Sequence, residues 1–336
     1  MEFGEVALDQ ALGAIMAHSV PLPGGRMRKG RVLDVADLAC LRAAGVAQVT
    51  VARLDPGDVP EDDAALALAQ ALVPDAAQDG LELRAVGTGR VNIFARGPGL
   101  ARVQAVAVHA LNAVDPSMTV ATVPEWQRMA AGGMVATVKI IAYAVPGRAL
   151  QRACEAAKGA TGQGALGLCP ATRQSVALIE TLVPGTQATA KGESVMRQRV
   201  TRLGARLDAY DRVPHDATAL AAALCAQPQA QVLMILTGSA TSDIRDTAPQ
   251  AVRLAEGEVH HFGMPVDPGN LLFIGSLGGR PVIGLPGCAR SPALNGADWV
   301  LERLICGIAV SGQDIASMGV GGLLTEIPTR PRPREG

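Results

Sequence analysis

From Ser175 onward, apolar strand-like runs alternate with helix-like runs, and this alternation limits the possible folds more than any other feature of the chain. Ser175–Leu182 reads as a strand and 192–203 as a helix, with Gly204 just after it. Asp216 caps a helix over 217–226. Val232–Leu236 is a strand, and 247–255 a helix. Residues 271–274 and 281–285 are two more apolar runs, split by Gly278-Gly279, and 292–308 is a final helix. Strands that alternate with helices build βαβ units around a mostly parallel sheet.

One junction in this half carries chemistry. Val232–Leu236 runs into Thr237-Gly238-Ser239-Ala240-Thr241-Ser242-Asp243-Ile244-Arg245-Asp246, and a helix follows at Thr247. In an open α/β sheet, ligands bind where strands end in such loops. Backbone N–H groups and a helix N-terminus there favour an anion, so the segment predicts a small phosphorylated ligand. Asp246 sits at the helix N-cap; it either only caps the helix or also holds Mg²⁺ beside a bound anion. Asp243 precedes it, and Arg245 between them is placed to pair with phosphate.

Two more constellations join this one. Pro265-Val266-Asp267-Pro268-Gly269-Asn270 precedes an apolar strand and by itself reads as a turn. Gly284-Leu285-Pro286-Gly287-Cys288-Ala289-Arg290-Ser291-Pro292 lies after a strand and before a helix. Loops of this kind can share one edge of a sheet and form a single cleft with the Thr237 loop. Cys288 has no histidine near it in sequence, which weighs against a nucleophilic role. His18, His109, His215, His260 and His261 show no zinc-ligand spacing.

The bulk properties exclude several classes. At 336 residues the chain has room for two domains. A net charge of -1 gives no global field for nucleic acid or anionic lipid. Aromatic residues make up 2% of the chain, too few for a base-stacking platform. No basic and apolar leader opens the chain, and no apolar run is long enough to span a bilayer. Six scattered cysteines without a C-x-x-C pair read as free thiols in a reducing cytoplasm.

The first 170 residues predict an α+β domain. Asp34 caps a helix ended by Gly45, a strand covers 46–52, and Pro60-Glu61-Asp62-Asp63 opens a second helix. Residues 100–114 have helical periodicity, and 134–145 is strand-like. Lys139 inside that apolar run reads as an edge-strand gatekeeper or, second, as an anion contact. Arg84, Arg90 and Asn92 lie among glycines and read as a solvated loop.

The C-terminal half, 171–320, resembles the molybdopterin-binding domain family, found in molybdopterin adenylyltransferases and molybdotransferases. The adenylyltransferase loop Thr-Gly-Gly-Thr-Gly, followed by Arg-Asp-x-Thr-Pro, is matched at Thr237, Gly238, Arg245, Asp246 and Pro249. Ser239 replaces the second glycine, and Ala240-Thr241 replace Thr-Gly. The molybdotransferase pair Lys-Pro-Gly-Lys-Pro and Leu-Pro-Gly-Asn-Pro corresponds to Asp267-Pro268-Gly269-Asn270 and Leu285-Pro286-Gly287-Cys288-Ala289. Both family lysines are absent, and the acidic residue usual after the first strand gives way to Thr181-Leu182-Val183-Pro184-Gly185. Lys29 to Val46 is similar to the segment that precedes this domain in molybdotransferases.

The resemblance implies a three-layer α/β domain over 171–320, an N-terminal α+β domain over 1–170 and a Pro/Arg-rich tail over 321–336. It implies molybdopterin or molybdenum cofactor over the Thr237–Asp246 loop, held by backbone N–H groups and by Ser239, Thr241 and Ser242. Asp246, with Asp243, would act catalytically, and Asp246 would hold Mg²⁺. The loops carrying Asp267, Pro268, Gly269 and Asn270 and Pro286, Gly287, Cys288 and Ser291 would close the cleft. It implies a role in molybdenum-cofactor assembly: molybdate insertion, or hand-over to a molybdenum-cofactor cytidylyltransferase or a molybdoenzyme. Such a cytidylyltransferase domain, often fused in relatives, would begin where Gly336 stands. Homo-oligomers are expected. The alternatives are a nucleotide-pyrophosphate hydrolase and a non-catalytic pterin-binding sensor.

Overall fold

The computed structural model describes residues 1–159, 164–185 and 189–324. The chain divides into two compact units, 1–97 with 101–168, and 98–100 with 169–336. Most of the expected tail, 325–336, lies outside the described residues.

In the N-terminal unit, Glu2–Ala7, Gln48–Arg53 and Ile15–Met16 form a small antiparallel sheet. Asp34 caps the helix Val35–Ala43 through a reciprocal capping box, and Gly45 takes the left-handed conformation after it. A second antiparallel sheet has the order Met118–Thr122, Met134–Ile140, Arg90–Ala95, Leu81–Ala85. Its inner face packs Val91, Ile93, Val138 and Ile140 against Leu68 and Leu72 of the helix Glu61–Leu72.

Three expectations change here. The Arg84–Asn92 region is a β-hairpin, since Leu81–Ala85 pairs with Arg90–Ala95 around a glycine turn. Lys139 lies in an interior strand, so it guards no edge; its ammonium bonds the Thr88 carbonyl at 2.5 Å and lies 3.6 Å from Glu61. Residues 100–114 are not one helix: Gly99–Val103 is a strand, and the helix covers Ala105–Asn112. Short apolar runs satisfy both periods, and tertiary pairing decides between them.

The C-terminal unit holds β1 (Ser175–Leu182), α1 (Lys191–Thr201), β2 (Arg206–Pro214), α2 (Ala217–Cys225), β3 (Val232–Leu236), α3 (Thr247–Leu254), β4 (Glu258–Phe262), β5 (Phe273–Leu277), β6 (Arg280–Leu285), α4 (Gly296–Ile305) and α5 (Gly312–Ser317). These strands make one sheet of order β2-β1-β3-β6-β5-β4. The pairings β2–β1, β1–β3 and β3–β6 are parallel, whereas β6–β5 and β5–β4 are antiparallel. Ala177, Ile179, Leu233, Ile235 and Val282 face α2 and α3 on one side. On the opposite face, α1 packs on β1 and α4 on β6. The domain is therefore a three-layer α/β structure with a mostly parallel sheet.

Strand β2 carries alternating charges and escapes a reading based on apolar runs, because it is an edge strand. The run 271–274 belongs to a hairpin with β6, turned by Gly278 and Gly279, both at positive φ. Helix α4 begins at Gly296 instead of 292 because Asn295 and Asp298 form a capping box there.

The topology fixes where loops meet. The C-terminal ends of β1, β3 and β6 lie at one edge of the sheet. Strand β5 runs antiparallel to β6 with Phe273 opposite Gly284, so the loop from β4 into β5 reaches that same edge.

Candidate functional site

The loop after β3 is held by side chains that cap its own backbone. Gly238 N–H donates to Thr181 Oγ1 at 2.9 Å, and Thr181 Oγ1 lies 2.8 Å from His215 Nδ1. Asp246 accepts from Thr247 N at 2.7 Å with one oxygen and from Ser242 N at 3.0 Å with the other. Asp243 accepts from Arg245 N at 2.7 Å. The N–H groups of Ser239, Ala240 and Thr241 bond no described residue. Among the described residues they are open donors at the end of a parallel strand, the arrangement that receives an oxyanion. Thr241 is buried beside Thr237, while Ser239, Ala240, Ser242 and Arg245 are exposed.

The loop after β6 is shaped by a buried arginine. Arg199 of α1 and Asp298 of α4 form an ion pair, with side chains 5% and 6% exposed. The same guanidinium donates to the carbonyls of Ala289 (2.7 Å), Ser291 (2.9 Å) and Ala293 (3.0 Å). Asp298 also accepts Asn295 N–H at 2.9 Å. Cys288 is exposed, and its Sγ accepts Asn295 Nδ2 at 3.0 Å. Ser291 is exposed and Pro286 buried.

The third loop is pinned to the second. Gly296 N–H donates to the Pro268 carbonyl at 2.8 Å. Gly269 has φ +147°, and a Cβ there would stand 3.0 Å from Gly296 Cα. Asp267 and Asn270 are exposed, and the Asn270 amide donates back to the Met264 carbonyl at 3.3 Å. Asp267 N–H donates to Gly322 and its carbonyl accepts from Leu324, both at 2.8 Å, so the start of the expected tail pairs with this loop.

A cleft of about 300 Å³ opens at this edge between Glu180, Thr181, Val183, Thr189, Gly238 and Arg290. Among the expected site residues only Gly238 lines it. Thr237 is tied to it, because its carbonyl accepts Arg290 Nη2 at 2.9 Å. Asp243, Asp246, Asp267, Asn270 and Ser291 stand outside its lining.

Two groups at the cleft carry no role in the sequence reading: Glu180 and the Arg290 side chain. Glu180 is 4% exposed; its carboxylate accepts Tyr210 Oη at 2.6 Å, Arg290 Nη2 at 3.2 Å and Arg212 Nε at 3.4 Å. Arg212 also donates to the Thr189 carbonyl at 2.6 Å. Burial, helped by the Glu180 carboxylate, pushes the Tyr210 phenol up to about 12. A lone acid in a mostly apolar strand is the signal that could have singled Glu180 out, because a buried carboxylate demands donors.

The donor set does not fit Mg²⁺ bound by protein alone. Both Asp246 oxygens already accept N–H groups. Among the described residues no group of three or more His, Cys, Asp or Glu side chains is placed to hold a metal ion. Nor is any described helix long and apolar enough to cross a membrane.

A family described as a domain of unknown function, DUF8806, matches residues 5–53. No curated protein matches the chain. Solved structures that align with it include a molybdopterin biosynthesis MoeA protein from Pyrococcus horikoshii, with 17% identity, 90% of this chain, 75% of that chain and a TM-score of 0.30. A molybdopterin biosynthesis enzyme MoaB from Thermus thermophilus aligns with 15% identity over 45% of this chain and 99% of its own, at a TM-score of 0.28. A molybdenum cofactor biosynthesis protein B aligns with 14% identity over 39% and 87%, at a TM-score of 0.28.

Proposed function

We propose that the C-terminal unit binds the phosphate of molybdopterin or molybdenum cofactor at the loop after β3, and that the chain serves molybdenum-cofactor assembly by holding and handing over this ligand. The observation that carries the reading is the convergence of the three motif loops on one sheet edge, with the Ser239, Ala240 and Thr241 N–H groups there bonding no described residue. The motif resemblance supplies the pterin. Ser239, Thr241 and Ser242 supply further hydroxyl donors, and Arg245, exposed and without a bond from its guanidinium to a described residue, supplies charge.

Binding is favoured over turnover by the acidic pair. Asp246 spends both oxygens on loop N–H groups and is not presented as a free base, and Asp243 gives one oxygen to Arg245 N–H. Asp246 keeps the loop in shape, and we derive no step through Mg²⁺. The Asp267–Asn270 loop and the loop carrying Pro286, Gly287 and Cys288 border the ligand. The recipient would be a nucleotidyltransferase or an apo-molybdoenzyme.

The test is anaerobic incubation of the purified chain with molybdopterin, gel filtration, and fluorescence of the oxidised pterin released from the protein peak. Retention by the wild-type chain and loss in Gly238→Val is expected. If the wild-type chain retains no pterin, the reading fails. Consumption or production of adenylylated molybdopterin, abolished in Asp246→Ala, would replace the carrier reading with a catalytic one.

A further inference from the structure

Glu180 is an anion lining the cleft that adjoins the loop read as receiving a phosphate. Tyr210 and Arg212 hold its Oε2, and Arg290 Nη2 holds its Oε1 at 3.2 Å. Helix α1 starts hard against it, since a Cβ on Gly192 would stand 3.1 Å from Oε1. The carboxylate therefore has no room to turn away when a ligand arrives.

Arg290 is only partly committed. Its Nη2 serves Glu180 and the Thr237 carbonyl, whereas Nε and Nη1 bond no described residue. That free edge is a fork suited to an oxyanion. An oxyanion reaching it meets a guanidinium already paired with Glu180, a carboxylate that Arg212 also shares, so a negative charge stands a few ångströms behind. In a half-buried setting, repulsion from that carboxylate takes back part of the attraction of the guanidinium.

We propose that Glu180 is a specificity-determining residue of this cleft, a fixed counter-anion that stops Arg290 from retaining bare inorganic oxyanions. A phosphate is then kept only when the rest of the ligand, its heterocycle, adds contacts of its own. Free phosphate, abundant wherever phosphorylated ligands are handled, is thereby refused. The inference rests on the reading that this edge takes a phosphorylated pterin.

The test is calorimetric titration of the full chain with inorganic phosphate at fixed ionic strength. Removing a neighbouring like charge is expected to tighten phosphate binding roughly ten-fold or more in Glu180→Gln. Adding Arg290→Met to that variant is expected to abolish the gain. A merely structural role for Glu180 would weaken binding, never strengthen it. Affinity equal to or below wild type in Glu180→Gln, or a gain that survives Arg290→Met, overturns the proposal. If Glu180→Gln does not fold, Arg290→Met alone decides: an offset guanidinium predicts phosphate affinity within about two-fold of wild type, and a larger loss overturns the proposal. Failure of the pterin reading is seen separately, as a wild-type chain that retains no molybdopterin while the phosphate series still gives its own answer.

Discussion

The Arg199–Asp298 pair offers the sharpest perturbation, because its partners are few and both charged side chains are buried. Arg199→Met leaves the Asp298 carboxylate at 6% exposure with the Asn295 N–H as its remaining donor, and strips hydrogen bonds from three loop carbonyls. Breaking a buried pair from one side costs about 3–5 kcal/mol. Asp298→Asn is milder, about 1–3 kcal/mol, because Arg199 keeps its three carbonyl acceptors. The double variant carries neither charge, so it should be more stable than Arg199→Met alone. Urea unfolding measures this, with a midpoint shift of roughly 1–2 M expected for Arg199→Met if the slope is unchanged. The chain has two tryptophans. In a Trp126→Phe background, Trp299 beside Asp298 reports the C-terminal unit. Neither Arg199 nor Asp298 lines the cleft, yet pterin retention should fall, because the loop carrying Arg290 loosens. Single-variant losses that simply add in the double, with coupling below about 0.5 kcal/mol, would refute the claim that the two charges are one unit.

Gly238→Ala would push a Cβ to 2.6 Å from the Thr181 carbonyl and 3.0 Å from Val183 N. The loop must move, so pterin retention should be lost with a stability cost of about 1–3 kcal/mol, read by thermal unfolding. Asp246→Ala removes the α3 cap and the acceptor for Ser242 N–H, costing about 1–2 kcal/mol and weakening pterin retention. Both tyrosines are pushed up, Tyr210 to about 12, chiefly by burial. A near-ultraviolet titration of the folded chain should therefore show less than half tyrosinate at pH 10, the ordinary phenol value, and the urea-unfolded chain about half. The sign follows from the raised folded pKa: this stabilisation is full below pH 10 and is lost as pH rises through about 12. Equal titration of folded and unfolded chains would contradict it.

The parallel core was legible because a strand buried on both faces reads as a continuous apolar run, as in Val232–Leu236, all of it buried. The edge strand Arg206–Pro214 was not, because solvent on one side leaves Arg206, Asp208, Arg212 and other polar residues along it. The loop after β3 was legible as strand, loop and capped helix, since Gly238 and Asp246 act through neighbours within a turn or across one strand. Glu180 was illegible for the opposite reason. Its partners stand 30, 32 and 110 residues away, and sequence spacing carries no trace of pairs assembled by strand order. Arg199 and the loop it shapes are separated by 90 residues or more in the same way.

These long-range bonds tie the motif loops into one mechanical unit. Arg199 fixes the loop after β6; that loop carries Arg290, which holds the Thr237 carbonyl and Glu180; and Gly296, where α4 begins, holds the Pro268 carbonyl. The Asp267–Asn270 loop carries no lysine, and Arg290 and Arg212 stand at the cleft and share a single carboxylate. A lysine on an exposed loop can swing onto developing charge, whereas an arginine tied to a buried glutamate and a backbone carbonyl cannot. Charge fixed in this way would favour a ground-state ligand over a transition state, in keeping with the carrier role proposed above.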